Sequence, residues 1–239
     1  MIPPDSSHFI DIARAFQNAA KVERSLVVEK EQEWPTDSDF FIPFVGWVGE
    51  NYRGGTVIVA KNPGGVQPQP DQIDSALDGE LSRLADADDP ATSMRRISAL
   101  FQQQQGIGMR KILNQVCTGL GETLDDIAYI NPCPYRVWVQ DNEGSVNFRG
   151  ALKLVAAPLL KALAPDTIVY LNSIEKIIAP LEKKHTLPQT GTSRHLVWRY
   201  ILVRNRSDAG GLSEKGLVAL SLAAIDNAVR KAHRERLAP

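Results

Sequence analysis

Four short apolar segments of β-type composition recur along the chain, and most of them run into loops rich in asparagine, proline or glycine. The four segments are residues 56–60, 127–130, 167–171 and 196–203. Apolar residues at helical spacing lie between them, at 109–120 and 152–163. Strands that alternate with helices are typical of crossover units on a parallel sheet. We therefore expect an α/β fold, a three-layer α/β/α sandwich with a central, mainly parallel four-stranded sheet.

Further helices are expected outside this alternation. The apolar spacing predicts one helix near residues 9–22, another that begins at 174–181, and a last one that carries Val218, Leu222 and Ile225 on one face. With 239 residues the chain is long enough for one large domain or two small ones. We expect residues 1–50 to form a helical, aromatic-rich extension that packs on an α/β domain of residues 51–239.

Composition excludes several classes of protein. Two cysteines, Cys117 and Cys133, cannot supply the four thiolates of an iron–sulfur cluster or of a Cys₄ zinc site, and buried free thiols are expected. Sequence motifs for metals, nucleotide phosphates and dinucleotides are missing, so neither a metal nor a cofactor is predicted. No apolar run has the length of a membrane span, and the first residues do not resemble a signal peptide. These features favour a cytoplasmic, monomeric protein that does not enter a membrane.

Charge is unevenly distributed although the formal net charge is only −1. Residues 71–90 hold seven acidic residues and one arginine, whereas residues 194–206 hold four arginines and no acid. A nearly neutral protein with such a basic segment can bind a polyanion locally. Two solvated surfaces of opposite charge are the alternative interpretation.

Asparagines stand where the predicted strands end. Asn62 follows the first strand after one residue, Asn131 follows the second directly, and Asn205 lies just beyond the fourth. In open parallel sheets, ligands bind beyond the carboxyl ends of the strands. The amide of asparagine can donate and accept hydrogen bonds, which suits it to read the edge of a base or to hold a water molecule. Asparagine also caps turns and helices, so a purely structural role is the alternative at each position.

These loops resemble the motifs of the uracil-DNA glycosylase superfamily. Residues 57–65, with Asn62-Pro63-Gly64-Gly65, resemble the first motif, which reads Gly-Ile-Asn-Pro-Gly in the mismatch-specific branch. The segment 129–136 is similar to the strand that ends in a base-reading asparagine. The segment 205–213 stands where the second motif belongs, and it departs from that motif at Arg206 and Asp208. The resemblance extends in order over residues 50–230.

The resemblance implies a role for each residue. Asn62 would orient the attacking water, and Asn205 would stabilise the departing base. Pro63, Gly64, Gly65 and Asn131 would bind the base. Arg204, Arg206 and Ser207 would contact phosphates of the nucleic acid.

The implied function is excision of uracil or of another deaminated base from DNA by hydrolysis of the N-glycosidic bond, after the base is flipped out of the helix. Single-stranded and mismatched DNA are both candidate substrates. Two alternatives stay open: a member of the superfamily that binds nucleic acid without catalysis, and a nucleotide- or nucleoside-processing hydrolase on the same scaffold.

Overall fold

The computed structural model describes a mixed α/β arrangement around one sheet. The described residues are 7–28, 42–60, 72–103, 108–135, 146–171, 194–199, 202–204, 212–214 and 218–220. The seven α-helices within them are α1 (Ser7–Ala20), α2 (Arg24–Val27), α3 (Gln72–Leu84), α4 (Pro90–Gln103), α5 (Gly108–Leu120), α6 (Phe148–Ala151) and α7 (Ala157–Leu163). The strands are β1 (Gly46–Val48), β2 (Thr56–Val59), β3 (Ile127–Ile130), β4 (Thr167–Leu171), β5 (Arg194–Arg199), β6 (Leu202–Arg204), β7 (Leu212–Glu214) and β8 (Val218–Leu220).

The main sheet has the strand order β1-β3-β2-β4-β5-β8. Its four central strands, β3, β2, β4 and β5, are parallel to their neighbours, whereas β1 and β8 are antiparallel additions at the two edges. The parallel strands are the four that the sequence predicts, which confirms the α/β class and the mainly parallel centre. The antiparallel edge strands were not predicted, and they make the sheet mixed.

Burial explains why the parallel strands are recognisable in the sequence. Every residue of β2, β3 and β4 is buried, so these strands, apart from the threonines that begin β2 and β4, are apolar instead of alternating with polar residues. Helix α5 begins and ends close to the predicted bounds. Gly121 adopts φ 72° after its last turn, and the N–H of Glu122 donates to the carbonyl of Cys117 at 2.9 Å, the hydrogen bond of a Schellman motif.

Two predicted elements need correction in the last part of the chain. The fourth strand was expected to continue to residue 203, but β5 ends at Arg199, and β6 pairs instead with β7 in a separate two-stranded sheet. The apolar spacing predicts Val218 in the last helix, but Val218 begins β8, which pairs antiparallel with β5. An apolar residue such as Val218 fits the buried face of a helix and also fits a strand that pairs with the open edge of a sheet. The predicted helix near residues 174–181 lies outside the described residues.

The predicted N-terminal extension contributes to the core. Helix α1 packs against α4 and α7 through a buried face that includes Ile12 and Phe16, and β1 joins the sheet beside β3. Ser98 of α4 covers the edge of β1, because its hydroxyl accepts the N–H of Val48 at 3.3 Å. The boundary proposed near residue 50 stays a prediction. Among the described helices, none is long and apolar enough to cross a membrane.

Candidate functional site

The carboxyl ends of β2, β3 and β4 lie side by side at one edge of the sheet, called the carboxyl edge below. Val59 is in register with Ile130 on one side and with Tyr170 on the other. The N–H of Ala60 donates to the carbonyl of Ile130 at 3.0 Å. Asn131 follows Ile130 directly, so the chain leaves β2 next to the asparagine that ends β3.

Asn131 is fully buried, and both ends of its side-chain amide have partners. Its Nδ2 donates to the backbone carbonyl of Phe44 at 3.0 Å, and its Oδ1 accepts the hydroxyl of Tyr129 at 3.0 Å. A carbonyl oxygen can only accept, so Nδ2 must face Phe44 and Oδ1 must face Tyr129. The orientation of this amide is therefore determined by the backbone of a segment 87 residues away in sequence.

Two backbone hydrogen bonds strengthen the same connection. The N–H of Asn131 donates to the carbonyl of Val45 at 2.7 Å, and the N–H of Phe44 donates to the carbonyl of Pro134 at 2.8 Å. Together with the amide bond to Phe44, they join the segment before β1 to the loop after β3, an arrangement called the Asn131 clamp below. The clamp leaves one N–H of Nδ2 and one lone pair of Oδ1 for any other partner.

An aromatic cluster packs around Tyr129, the side chain that donates to Asn131 in the clamp. The ring of Tyr129 stacks against those of Trp47 and Phe101 at centroid distances of 6.4 and 6.2 Å, and Phe44 lies 6.3 Å from Tyr129. The indole nitrogen of Trp47 is buried without a hydrogen-bond partner among the described residues. Sequence reasoning missed Phe44 and Tyr129 as neighbours of Asn131, although tyrosine at i−2 on the same face of a strand was a usable signal.

Most of the other predicted site residues cannot be placed relative to Asn131. Asn62, Pro63, Gly64, Gly65, Asn205, Arg206 and Ser207 lie outside the described residues. Arg204 is the last residue of β6, where it pairs with Leu212. Of the predicted site, the structure therefore describes the surroundings of Asn131 alone.

The opposite end of the parallel strands, called the amino edge below, also holds buried polar groups. Oε1 of Glu122 accepts the hydroxyl of the buried Thr56 at 2.8 Å, while Oε2 is buried without a hydrogen-bond partner among the described residues. The hydroxyl of Tyr52 donates to the carbonyl of Leu163 at 2.9 Å. Burial, aided by the negative charges of Asp166 and Glu122, raises the pKa of Tyr52 above its ordinary value, so this hydroxyl stays protonated.

Neither cysteine forms a disulfide, and both are buried. Burial, with the nearby carboxylates of Glu122 and Asp126, raises the pKa of Cys117 to about 12, so its thiol is not a nucleophile near neutral pH. Within the described part of the chain, no group of three or more His, Cys, Asp or Glu side chains is placed to hold a metal ion.

Comparisons with protein-family models, with curated proteins and with solved structures found no match to the chain.

Proposed function

We propose that the chain is a DNA glycosylase-like protein that excises uracil or another deaminated base by hydrolysis of the N-glycosidic bond. One observation carries the proposal: the register of β2 and β3 brings Ala60, a residue of the first motif-like segment, beside Ile130, which directly precedes Asn131. Two motif-like segments far apart in sequence thus lie side by side at the carboxyl edge, where ligands of parallel sheets bind.

The strand order supports the finer architecture, a three-layer α/β/α sandwich. The connection from β2 to β3 crosses the sheet in one direction, and the connection from β3 to β4 crosses back over β2. Right-handed crossovers in opposite directions place their helices on opposite faces of a sheet. By this rule α5 covers one face, and α7 covers the other together with α1, which packs on it.

The proposed chemistry uses amides and backbone groups. Asn62 holds a water molecule in line with the glycosidic bond, since an amide has no usable basicity but can position a nucleophile. Asn205 and adjacent N–H groups stabilise the base as it departs with negative charge. Arg204, Arg206 and Ser207 bind phosphates next to the extruded nucleotide. The mechanism requires neither metal nor cofactor.

Asn131 binds the base through the donor and the acceptor of its amide that the clamp does not use. The remaining N–H of Nδ2 donates to a pyrimidine carbonyl, and the remaining lone pair of Oδ1 accepts the ring N–H. This combination suits uracil and not cytosine, because cytosine presents an acceptor and an amino group at the corresponding atoms.

The full burial of Asn131 favours a second candidate function. An amide that is inaccessible and bonded at both ends is typical of a structural residue. On that interpretation the chain binds nucleic acid on the same scaffold without excision, or it hydrolyses a nucleotide or nucleoside through other residues.

A single-turnover gel assay on oligonucleotides with one uracil, either single-stranded or opposite guanine, tests the proposal. We expect abasic sites after incubation with the wild-type protein, and a fall of about 100-fold or more in the excision rate for Asn62→Ala. Asn114→Ala is the matched control, because Asn114 lies exposed on α5. Failure of the wild-type protein to cleave either substrate would reject the glycosylase in favour of the second candidate, and equal rates for the two variants would reject the role proposed for Asn62.

A further inference from the structure

The helical segment between β3 and β4 presents a basic face. Arg149, Lys153 and Lys161 are all exposed, and residues 146–165 contain no acidic residue. These three residues are called the basic stripe below. The structure gives none of them an ion pair within the described part of the chain.

The burial pattern puts the three charges on one side of the segment. Ala151, Leu152, Val155, Ala156, Leu159, Leu160 and Leu163 are buried. Arg149 lies just before these buried positions, Lys153 and Lys161 lie between them, and all three are exposed, so they lie on the solvent side of the segment. The apolar face belongs to the core, and the basic face is left for solvent or for a partner.

A π-helical turn over Leu152–Ala156 improves the alignment of the stripe. Each four-residue step of an α-helix overshoots a full turn by about 40°, so charges four and eight residues apart drift around the axis. A π turn holds more residues than an α turn, so each residue rotates less about the axis, and the angle between the three charges becomes smaller. Pro158, which has no N–H to donate, lies two residues after the end of this turn and is compatible with the wider turn.

The stripe begins near the carboxyl edge. The connection runs back from the end of β3 to the start of β4, so Arg149 lies toward the carboxyl edge and Lys161 toward the amino edge. Twelve residues of helix span about 18 Å, which matches about five nucleotides along one strand of a duplex.

We propose that the basic stripe binds the phosphate backbone of a nucleic-acid strand and guides it toward the carboxyl edge. A nucleic acid fits better than an anionic membrane, because binding at a membrane surface needs apolar side chains that enter the bilayer. Leu26 is the one large apolar side chain that is strongly exposed among the described residues. The proposal does not depend on catalysis, so the stripe can be tested whether or not the protein excises a base.

The test measures the affinity for a labelled oligonucleotide without a damaged base, single-stranded and duplex, as a function of salt concentration. The triple variant Arg149→Gln, Lys153→Gln, Lys161→Gln is compared with a control of equal charge loss, Arg53→Gln, Arg83→Gln, Arg96→Gln. All three control arginines are exposed, and Arg83 and Arg96 lie beside Glu80. The melting temperature of each variant shows whether it is folded.

We expect the stripe variant to reduce the slope of log affinity against log salt by about 2 to 3 units, while the control changes it by less than about 1 unit. Equal losses in the two variants would show a net-charge effect and overturn the proposal. So would binding of wild type to vesicles that contain phosphatidylserine without binding to either oligonucleotide. Binding that depends on the stripe without excision would reject the glycosylase and keep the stripe, whereas excision with an unchanged slope would do the reverse.

Discussion

The two edges of the parallel sheet bury polar groups in different ways. At the carboxyl edge, the neutral amide of Asn131 has a hydrogen-bond partner at each end and connects two loops. At the amino edge, the carboxylate of Glu122 uses one oxygen to accept from Thr56, while the other is buried without a partner among the described residues. A satisfied neutral group adds specificity at little cost, whereas a half-satisfied carboxylate carries a desolvation penalty. The carboxyl edge should therefore be the less tolerant of the two to substitution.

Asn131→Asp tests this comparison with the largest expected effect. The substitution places a carboxylate oxygen against the carbonyl of Phe44 in a fully buried position. We expect a loss of about 3–5 kcal/mol in the free energy of unfolding at pH 7, measured by urea denaturation. Asn114→Asp, on the exposed face of α5, should cost less than about 0.5 kcal/mol.

The same variant has an expected pH dependence. Burial raises the pKa of the introduced carboxyl in the folded state above the ordinary value of about 3.9. The penalty is therefore largest above that raised pKa, and stability relative to wild type recovers as pH falls through it and the acid becomes able to donate to the carbonyl of Phe44. A difference from wild type that is the same at pH 7 and pH 5 would contradict the clamp geometry.

Gly46→Ala tests the backbone that holds the clamp in place. Gly46 has φ 141° in β1, and a Cβ built there would lie 1.9 Å from the carbonyl oxygen of Tyr129. We expect a loss of about 2–4 kcal/mol by urea denaturation, because the strand must move away from β3. Gly79→Ala in α3 is the matched control: a Cβ there meets nothing within 4 Å, and alanine favours helix, so it should stabilise by about 0.5–1 kcal/mol. Equal stability of the Gly46 variant and wild type would show that β1 does not pack on β3 as described.

A pair of tyrosine variants compares the two edges directly. Tyr129→Phe leaves Oδ1 of Asn131 without its donor, and Tyr52→Phe leaves the carbonyl of Leu163 without its donor. Each should cost about 1–2 kcal/mol in thermal or urea unfolding, since one buried acceptor loses its partner in both. Only Tyr129→Phe should also lower the rate of uracil excision, measured at a temperature where both variants are folded. An equal fall in rate for both would mean that the tyrosines act through stability alone.

Glu122→Gln has the smallest expected effect. It removes a partly buried charge near Asp126 and Cys117, and the amide oxygen can still accept the hydroxyl of Thr56. We expect the free energy of unfolding to rise by up to about 1 kcal/mol. Glu122→Ala, which loses the bond to Thr56, should instead lower it by about 1 kcal/mol. Destabilisation by the glutamine variant equal to that by the alanine variant would show that the charge itself is needed, and the contrast between the two edges would then fail.

Local sequence was sufficient for the centre of the fold. The segments around Val57, Ala128 and Val169 are apolar at nearly every position, and Gly121 ends a helix whose apolar spacing is regular. Such signals lie within a few residues of one another, so they can be read without knowledge of the partners. The short strand β1 has no such signal, since three residues become a strand only because β3 pairs with them.

The candidate site was predictable only in part. Asparagine after a strand in a parallel sheet indicated Asn131 as a residue of the carboxyl edge, and the structure describes it there. Its partner Phe44 could not be predicted, because Phe44 acts through its backbone carbonyl, a group that every residue has. The roles proposed for Asn62 and Asn205 stay predictions.

The sequence by itself determined the α/β class, the strands β2, β3 and β4, and the position of Asn131 after β3, because burial on both faces gives these strands a local apolar pattern. Only the tertiary structure decided the order of the strands, the antiparallel edges and the orientation of the Asn131 amide. Each of these depends on hydrogen bonds between segments far apart in the chain, and backbone donors and acceptors are the same whatever the side chain.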